Sequence, residues 1–392
     1  MPEPSRRGST SLQPAYSQVI YHWQIVERPK GKILLAMSGG VDSSVAAALL
    51  VEQGYEVVGV FMRLGSPGED LDELIPGSEC NLKIGKQGCC SVGDAQDARA
   101  VAAVLDIPFY VVNFKREFGA IIDYFVEEYD AGRTPNPCVR CNDWLKFGRL
   151  HEYAKQIGAG QVASGHYASI GDGPRLLRGL DESKDQSYVL FGTPLERLGE
   201  MLLPIGDMHK KDVRAMAEER GLPVFDKPDS QEICFVPDND YAGLVKRRSE
   251  SGVTSGPILD LEGNTIGEHP GHQHFTIGQR RKVGVALGHP IFVIEKNATT
   301  NSVVVGPREA LSTEGCLAAE TNWFIDPPET WRTCTAKIRY NAEPVAAQVR
   351  ATSEKTLEVR FDTPQEAVAP GQAVVCYDDR HVIGGGWISS SV

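Results

Sequence analysis

Apolar and polar positions along the first half of the chain follow two alternating periods. Residues 32–37 (KILLAM) form a short apolar run that stops at Ser-Gly-Gly. Residues 42–53 (DSSVAAALLVEQ) then place apolar side chains at helical spacing, with Asp and Ser available to cap the start and Gly54 to stop it. The run YEVVGVFM (55–62) reads as a second strand, and an irregular Gly-rich stretch follows it. The alternation then resumes, with a helix over 94–106, a strand over 109–113, a helix over 117–130, a helix-like segment over 144–157 and a short strand over 161–167. Strands and helices alternating at these lengths predict an α/β domain, a parallel sheet with helices on both faces.

The pattern changes after about residue 235. From 257 onward short β-rich runs (IFVIEK, NSVVVG, CTAKIRY, VAAQVRAT, TLEVRF, AVVCY, VIGGGWI) are punctuated by Gly, Asn and Pro. They predict small all-β modules, the last a barrel. The expected organisation is a disordered extension (1–30), the α/β domain (31–235), a small β-rich central domain (236–303) that opens on a connection at 236–256, and a C-terminal barrel (304–392).

Composition narrows the class. Hydrophobic residues make up 41% and charged residues 23%, as in ordinary soluble proteins. No apolar run approaches the ~20 residues of a membrane span, and no secretory signal is legible, so a cytoplasmic location without membrane is expected. A net charge of −12 argues against a nonspecific nucleic-acid coat. On such a chain, Lys246-Arg247-Arg248 and Arg280-Arg281-Lys282 are the natural places for phosphate contacts. Nine cysteines, an odd number, argue against a disulfide scaffold and make some thiols candidates for chemistry or metal binding. The Cys89-Cys90 pair reads as buried core, and His269, His272 and His274 as a polar loop touching RNA or solvent.

The strongest chemical signal is Ser38-Gly39-Gly40-Val41-Asp42-Ser43-Ser44, set between a strand and a helix. Glycines admit close backbone approach, and a helix start offers free N–H groups and a positive dipole end, which suits phosphate. It is neither a Walker A loop nor a dinucleotide fingerprint. The motif resembles the pyrophosphate (PP) loop of the N-type ATP pyrophosphatases, which implies an adenine nucleotide alpha hydrolase-like PP-loop domain using ATP with Mg2+. Further motifs follow in order: GRTPNPCVRCN (132–142), SGHYA (164–168), DESKDQSY (181–188), DSQEICFV (229–236), HFTIGQRRKVGV (274–285) and KIRYNAEP (337–344). Together they resemble the tRNA-specific 2-thiouridylase family (MnmA/TrmU) over roughly residues 31 to 390.

The resemblance implies a tRNA-uridine 2-sulfurtransferase. It would adenylate the C2 oxygen of the wobble uridine (position 34) of Lys-, Glu- and Gln-type tRNAs and transfer sulfur to give 2-thiouridine, AMP and pyrophosphate. It implies ATP binding by Ala36, Met37, Ser38, Gly39, Gly40, Val41, Asp42, Ser43, Met62 and Gly165. Asn136, Pro137 and Cys138 would meet the target base. His166, Lys184, Asp185, Gln186, Arg339, Tyr340 and Gln372 would meet tRNA. Cys141 resembles the nucleophile, and Cys234 the thiol that carries persulfide sulfur from a donor such as a cysteine desulfurase or relay protein. A monomer is expected. Cys138 stands where the family pattern has an aspartate, so that residue's role does not carry over. Three readings of Cys138-x-x-Cys141 stay open: a [4Fe–4S] cluster on Cys138, Cys141 and Cys234; the persulfide route with Cys138 a bystander or alternative resolving thiol; and structural zinc. The alternative function is a small-molecule PP-loop ligase or amidotransferase.

Overall fold

The computed structural model describes residues 30–65, 91–229, 233–236, 240–249 and 252–392. The expected 1–30 extension and the Cys89-Cys90 pair fall outside these residues, Lys30 excepted. The first domain is built on five parallel strands: β1 (Lys32–Ala36), β2 (Glu56–Arg63), β3 (Phe109–Asn113), β4 (Gln161–Ser164) and, after a hairpin of β5 (Ala168–Gly171) and β6 (Arg175–Arg178), β7 (Met201–Leu202). Their order is β3-β2-β1-β4-β7, so the chain reverses direction across the sheet between β1 and β4. Such a switch point opens a crevice beyond the carboxyl ends of the two strands, the usual ligand position in open α/β sheets.

The two-residue period of β1 divides the core. Ile33 and Leu35 pack with α1 (Val41–Glu52), α2 (Val92–Val104) and Val213 and Ala217 of a later helix, whereas Leu34 and Ala36 face Phe118, Ile121 and Phe125 of α3 (Lys115–Asp130). The helix expected over 144–157 begins seven residues earlier. It consists of α4 (Pro137–Arg140), a π-helical stretch (Cys141–Arg149) and α5 (Leu150–Gln156). Asn136 caps the start, its side chain accepting from the Val139 N–H, and Pro137 takes the first helical position. The cap expected at α1 is corrected too. Gly40 occupies that position with no side-chain hydrogen bond, because Asp42 is engaged elsewhere.

The four-residue α6 (Leu195–Leu198) leads to β7; α7 (Lys210–Glu219) supplies Val213 and Ala217, and α8 (Tyr241–Arg248) lies in the expected connection. Beyond it, β8 (Gly256–Leu259), β9 (Thr265–His269), β10 (Phe292–Asn297) and β11 (Ser302–Gly306) form a four-stranded sheet over Ile258, Val293 and Val303. Then β12 (Ser312–Trp323), β13 (Arg332–Lys337), β14 (Val345–Ser353), β15 (Thr356–Glu366), β16 (Ala373–Asp378) and β17 (His381–Ser391) close into a six-stranded barrel through β12–β17 pairing. Its interior takes Cys316, Cys334 and Cys376, and burial pushes the Cys316 thiol up to about 12, so it stays protonated. The β5–β6 hairpin extends the barrel sheet by pairing Leu177 with His381, which ties the first domain to the last.

The histidine loop is corrected. His269 and His272 are buried, not exposed: His269 Nε2 meets the Asn301 carbonyl at 3.1 Å, and His272 bridges Asn301 Oδ1 and the Asp130 carbonyl. The polar backbone at the end of α3 needs partners, and the His272 imidazole supplies one at the joint of the first two domains. His274 alone of the three is exposed.

Lys296 lies at the same joint. Its Nζ donates to the Arg133 carbonyl at 3.3 Å and sits over the Tyr129 ring, and burial lowers its pKa to about 7. The unfolded chain holds this proton until near pH 10, so between pH 7 and 10 it binds more protons than the fold and stability rises with pH. Lys296→Met is therefore expected to stabilise the chain by about 1–2 kcal/mol at pH 6, with the gain vanishing towards pH 10 in urea titrations.

Candidate functional site

The residues from Ala36 to Ser43 wrap the carboxyl end of β1 and the start of α1. Gly39 has φ +73°, and a Cβ there would stand 2.1 Å from the Asp94 carbonyl oxygen, so only glycine fits. The hydroxyls of Ser43 and Ser44 donate to the Gly40 carbonyl at 3.2 and 2.7 Å, and the Ser38 N–H donates to Ser43 Oγ. The loop is thus held by its own side chains while the α1 start has no side-chain cap. Gly165, just past β4, presses on the backbone of Asp42 and Ser43; a Cβ would stand 2.6 Å from both. Met62 lies on β2, half-buried against the core. The expected ATP-binding residues therefore gather around the crevice at the switch point.

Around this loop stands a lattice of charge, most of which sequence reasoning missed. Lys210 Nζ donates to both Asp42 oxygens at 2.7 and 2.9 Å, and the Tyr167 hydroxyl donates to Asp42 Oδ1 at 2.8 Å. Asp229 receives Lys210, Lys184 and Arg214 at 2.8, 2.9 and 2.8 Å. Burial works to raise its carboxyl pKa, but hydrogen bonds from Lys210 and Lys184 hold it at about 2. Lys227 Nζ meets the Gly39 carbonyl, Asp94 and Asp97 at 2.9, 2.6 and 2.6 Å. Lys210 and Lys227 thus touch the loop itself, while Lys184 and Arg214 stand one carboxylate away on Asp229. Lys210 and Lys227 carry no motif of their own; only the Asp42 and Asp229 segments were marked in the sequence. Lys184, expected at tRNA, sits in this lattice.

The second half of the site is the 132–142 turn. The barrel fastens it: the Thr134 N–H donates to the Pro370 carbonyl at 2.8 Å, and Gln372 Nε2 donates to the Thr134 and Pro135 carbonyls at 2.9 and 3.1 Å. Arg140, between the two cysteines of the motif, is enclosed by the rings of Trp387, Tyr124 and Trp144 at 4.2, 5.0 and 5.1 Å and pairs with Glu320 at 2.8 Å. Trp387 and Glu320 belong to the barrel, so cation–π and ionic contacts hold the turn from that side as well.

Cys138 is exposed on the first turn of its helix. Gln186 Oε1 accepts from the Tyr167 N–H at 3.0 Å. Asp185 is buried and accepts from the N–H groups of Gly179 and Ser187 and from Arg178, which shapes the loop that presents Gln186. His166 is buried between Ser164 Oγ (2.7 Å) and Lys146 Nζ (3.4 Å); burial, then the Lys146 charge, push its pKa far down and keep the ring neutral. Arg339 is exposed and donates to the Glu366 carbonyl.

Cys141 opens the π-helical stretch, a geometry frequent at functional sites. Cys234 lies in a short segment anchored by Phe235, whose ring meets Phe118 and Phe125 at 5.6 and 5.2 Å. Both thiols are half-buried against the same core face. Among the described residues, no group of three or more His, Cys, Asp or Glu side chains is arranged to hold a metal ion. Cys138, Cys141 and Cys234 as they stand do not fit a cluster ligand set.

Two outcomes follow. Gly39→Ala must displace the Asp94 backbone, and is expected to weaken ATP binding at least ~100-fold by calorimetry, a loss of about 3 kcal/mol. Gln372→Ala strands two carbonyls, and is expected to cost about 1–2 kcal/mol in urea unfolding without tRNA. Unchanged stability would leave this glutamine to RNA alone.

The family described as tRNA methyl transferase HUP domain matches residues 31–238, its PRC-barrel domain residues 245–307, and the aminomethyltransferase beta-barrel domain residues 313–388. The chain is 47% identical over 386 residues to the tRNA-specific 2-thiouridylase MnmA of Rhodopirellula baltica, covering 92% of this chain and 97% of that one. It is 45% identical over 368 residues to the enzyme of that name from Clostridioides difficile, covering 92% and 99%. A phosphate loop at a sheet switch point, a barrel-clamped cysteine turn and likeness over nearly the full length lead to one conclusion: the chain belongs to the tRNA-specific 2-thiouridylase family.

Proposed function

We propose that the chain is an ATP-dependent tRNA-uridine 2-sulfurtransferase working through a Cys234 persulfide. The observation that carries the reading is a phosphate loop flanked by Lys210 and Lys227 and joined to the cysteine-bearing helix through the segment after β4, where Tyr167 bonds Asp42 and His166 meets Lys146. ATP with Mg2+ fits the first part, since uncapped helix N–H groups and lysines suit a polyphosphate. The uridine C2 oxygen is a poor leaving group. Its attack on the α-phosphorus forms an O–P bond and expels pyrophosphate, and the adenylated oxygen then leaves as AMP.

The terminal sulfur of the Cys234 persulfide attacks C2 and forms a C–S bond as the C–O bond to AMP breaks. The Cys141 thiolate then attacks the Cys234 sulfur. The S–S bond breaks, 2-thiouridine departs, and a Cys141–Cys234 disulfide remains for an external thiol to reduce. Each cycle consumes one persulfide sulfur, supplied by a donor such as a cysteine desulfurase or a relay protein. The target is the wobble uridine of Lys-, Glu- and Gln-type tRNAs, bound to one copy of the chain, in the cytoplasm. Among the described residues no helix is long and apolar enough to cross a membrane. A small-molecule ligase leaves the cysteine turn and both β-rich domains without a task.

The test is 2-thiouridine formation in a tRNA-Glu or tRNA-Lys transcript with ATP, cysteine and a desulfurase, using metal-free protein. Product is expected, with Cys141→Ser and Cys234→Ser lowering the rate at least ~1,000-fold while Cys138→Ala stays within about tenfold. Product only from anaerobically iron–sulfur-loaded protein, lost in Cys138→Ala, would replace the persulfide with the three-cysteine cluster. No product from either form would overturn the thiolase reading.

A further inference from the structure

Lys146 lies half-buried on the helix that carries the cysteines, five residues after Cys141. A π-helix bonds each N–H to the carbonyl five residues back, so residues that far apart stand nearly one above the other. The same interval in an α-helix would turn Lys146 roughly 140° away from Cys141. Gly148 admits the wide turn, since a Cβ there would stand 2.8 Å from the Asp143 carbonyl oxygen. The π-helical stretch therefore sets Lys146 close to the Cys141 side of the helix.

Its ammonium is held by a neutral group. Lys146 Nζ meets His166 Nε2 at 3.4 Å, and His166 Nδ1 meets Ser164 Oγ at 2.7 Å. An ammonium only donates, so Nε2 accepts and the ring proton sits on Nδ1, bonded to the serine. Among the described residues no carboxylate lies within ion-pair distance of Lys146, whereas Lys210, Lys227 and Lys184 each hold one. A half-buried cation without a counter-charge is costly unless a ligand brings one, and the imidazole leaves the other N–H donors of Lys146 for that ligand. The neighbours of His166 reach the phosphate loop: Gly165 presses on Asp42 and Ser43, and the Tyr167 hydroxyl donates to Asp42. Lys146 thus stands at the junction of the loop and the cysteine helix. The loop suits the β- and γ-phosphates and the turn suits the uridine, so the α-phosphorus, bonded first to one and then to the other, passes between them.

We propose that Lys146 is a further catalytic residue of the thiolation, donating to the α-phosphoryl oxygens as the uridine oxygen is adenylated and again as AMP leaves. In the first step the O–P bond to uridine forms as the P–O bond to pyrophosphate breaks. In the second the C2–O bond breaks and AMP departs with that oxygen. Negative charge gathers on the same phosphoryl oxygens both times, and a fixed ammonium there lowers both barriers while keeping its own proton. His166 is a positioning residue: it fixes the ammonium without cancelling its charge. The inference deepens the thiolase reading above and rests on it.

The test is single-turnover pyrophosphate release with ATP and a tRNA-Glu transcript, alongside the separate affinities for each. K146Q is expected to release pyrophosphate roughly 100- to 1,000-fold more slowly, with both affinities within about threefold of wild type. K146R, which keeps the charge, is expected to recover at least about tenfold of that loss. ATP carrying sulfur in place of one α-phosphoryl oxygen is expected, as one of its two diastereomers, to slow the wild type several-fold and K146Q hardly at all, a coupling that a merely structural lysine would not show. Release by K146Q at the wild-type rate would overturn the assignment. So would a K146Q defect confined to tRNA affinity, or a sulfur effect as large in K146Q as in the wild type. A wild-type chain that releases no pyrophosphate with tRNA would instead sink the underlying thiolase reading.

Discussion

Three backbone contacts carry the arrangement: the Thr134 N–H on the Pro370 carbonyl, and the two hydrogen bonds from Gln372 to the Thr134 and Pro135 carbonyls. Residues 132–136, which lead into the helix that carries the cysteines, have no regular structure of their own, and such a segment would sample many conformations at a cost of about 1–2 kcal/mol per residue to order. The barrel supplies that ordering. With Arg140 seated among Trp387, Tyr124 and Trp144, the turn is held on both sides, and Cys138 and Cys141 are presented at a defined place. The C-terminal barrel is therefore part of the site's framework, although none of the cysteines expected to do chemistry belongs to it.

The charge pattern explains how an acidic chain handles a polyanion. Cations at the phosphate loop are each paired with Asp42, Asp94, Asp97 or Asp229, so the protein does not carry a concentrated positive surface without its ligands. A triphosphate offers the lysines more acceptor oxygens than a carboxylate, and exchanging one partner for another avoids stranding either charge.

The thiols divide by environment. Cys316, Cys334 and Cys376 fill the barrel interior as small apolar groups; burial pushes the Cys316 thiol up, and the hydrogen bond with Cys334, then burial, does the same to Cys376. Cys138 is exposed and Cys141 and Cys234 are half-buried in the first domain, where a reaction partner can reach them.

By itself the sequence determined the α/β class, the phosphate loop, the cysteine turn and the terminal barrel, because each rests on local signals: period-two apolar runs, a glycine-rich strand–helix turn, and the Cys-x-x-Cys motif set in an ordered series of motifs. It did not reveal β7, a two-residue strand too short to show a period, nor the π-helical stretch, which shares its apolar spacing with an α-helix. His269 and His272 looked like a solvated loop, since only the docked end of α3 turns them into buried partners for Asp130 and Asn301. Lys210 and Lys227 are ordinary surface cations in sequence. Their placement at Asp42 and Gly39 comes from segments far apart in the chain, and long-range packing of that kind leaves no local pattern to read.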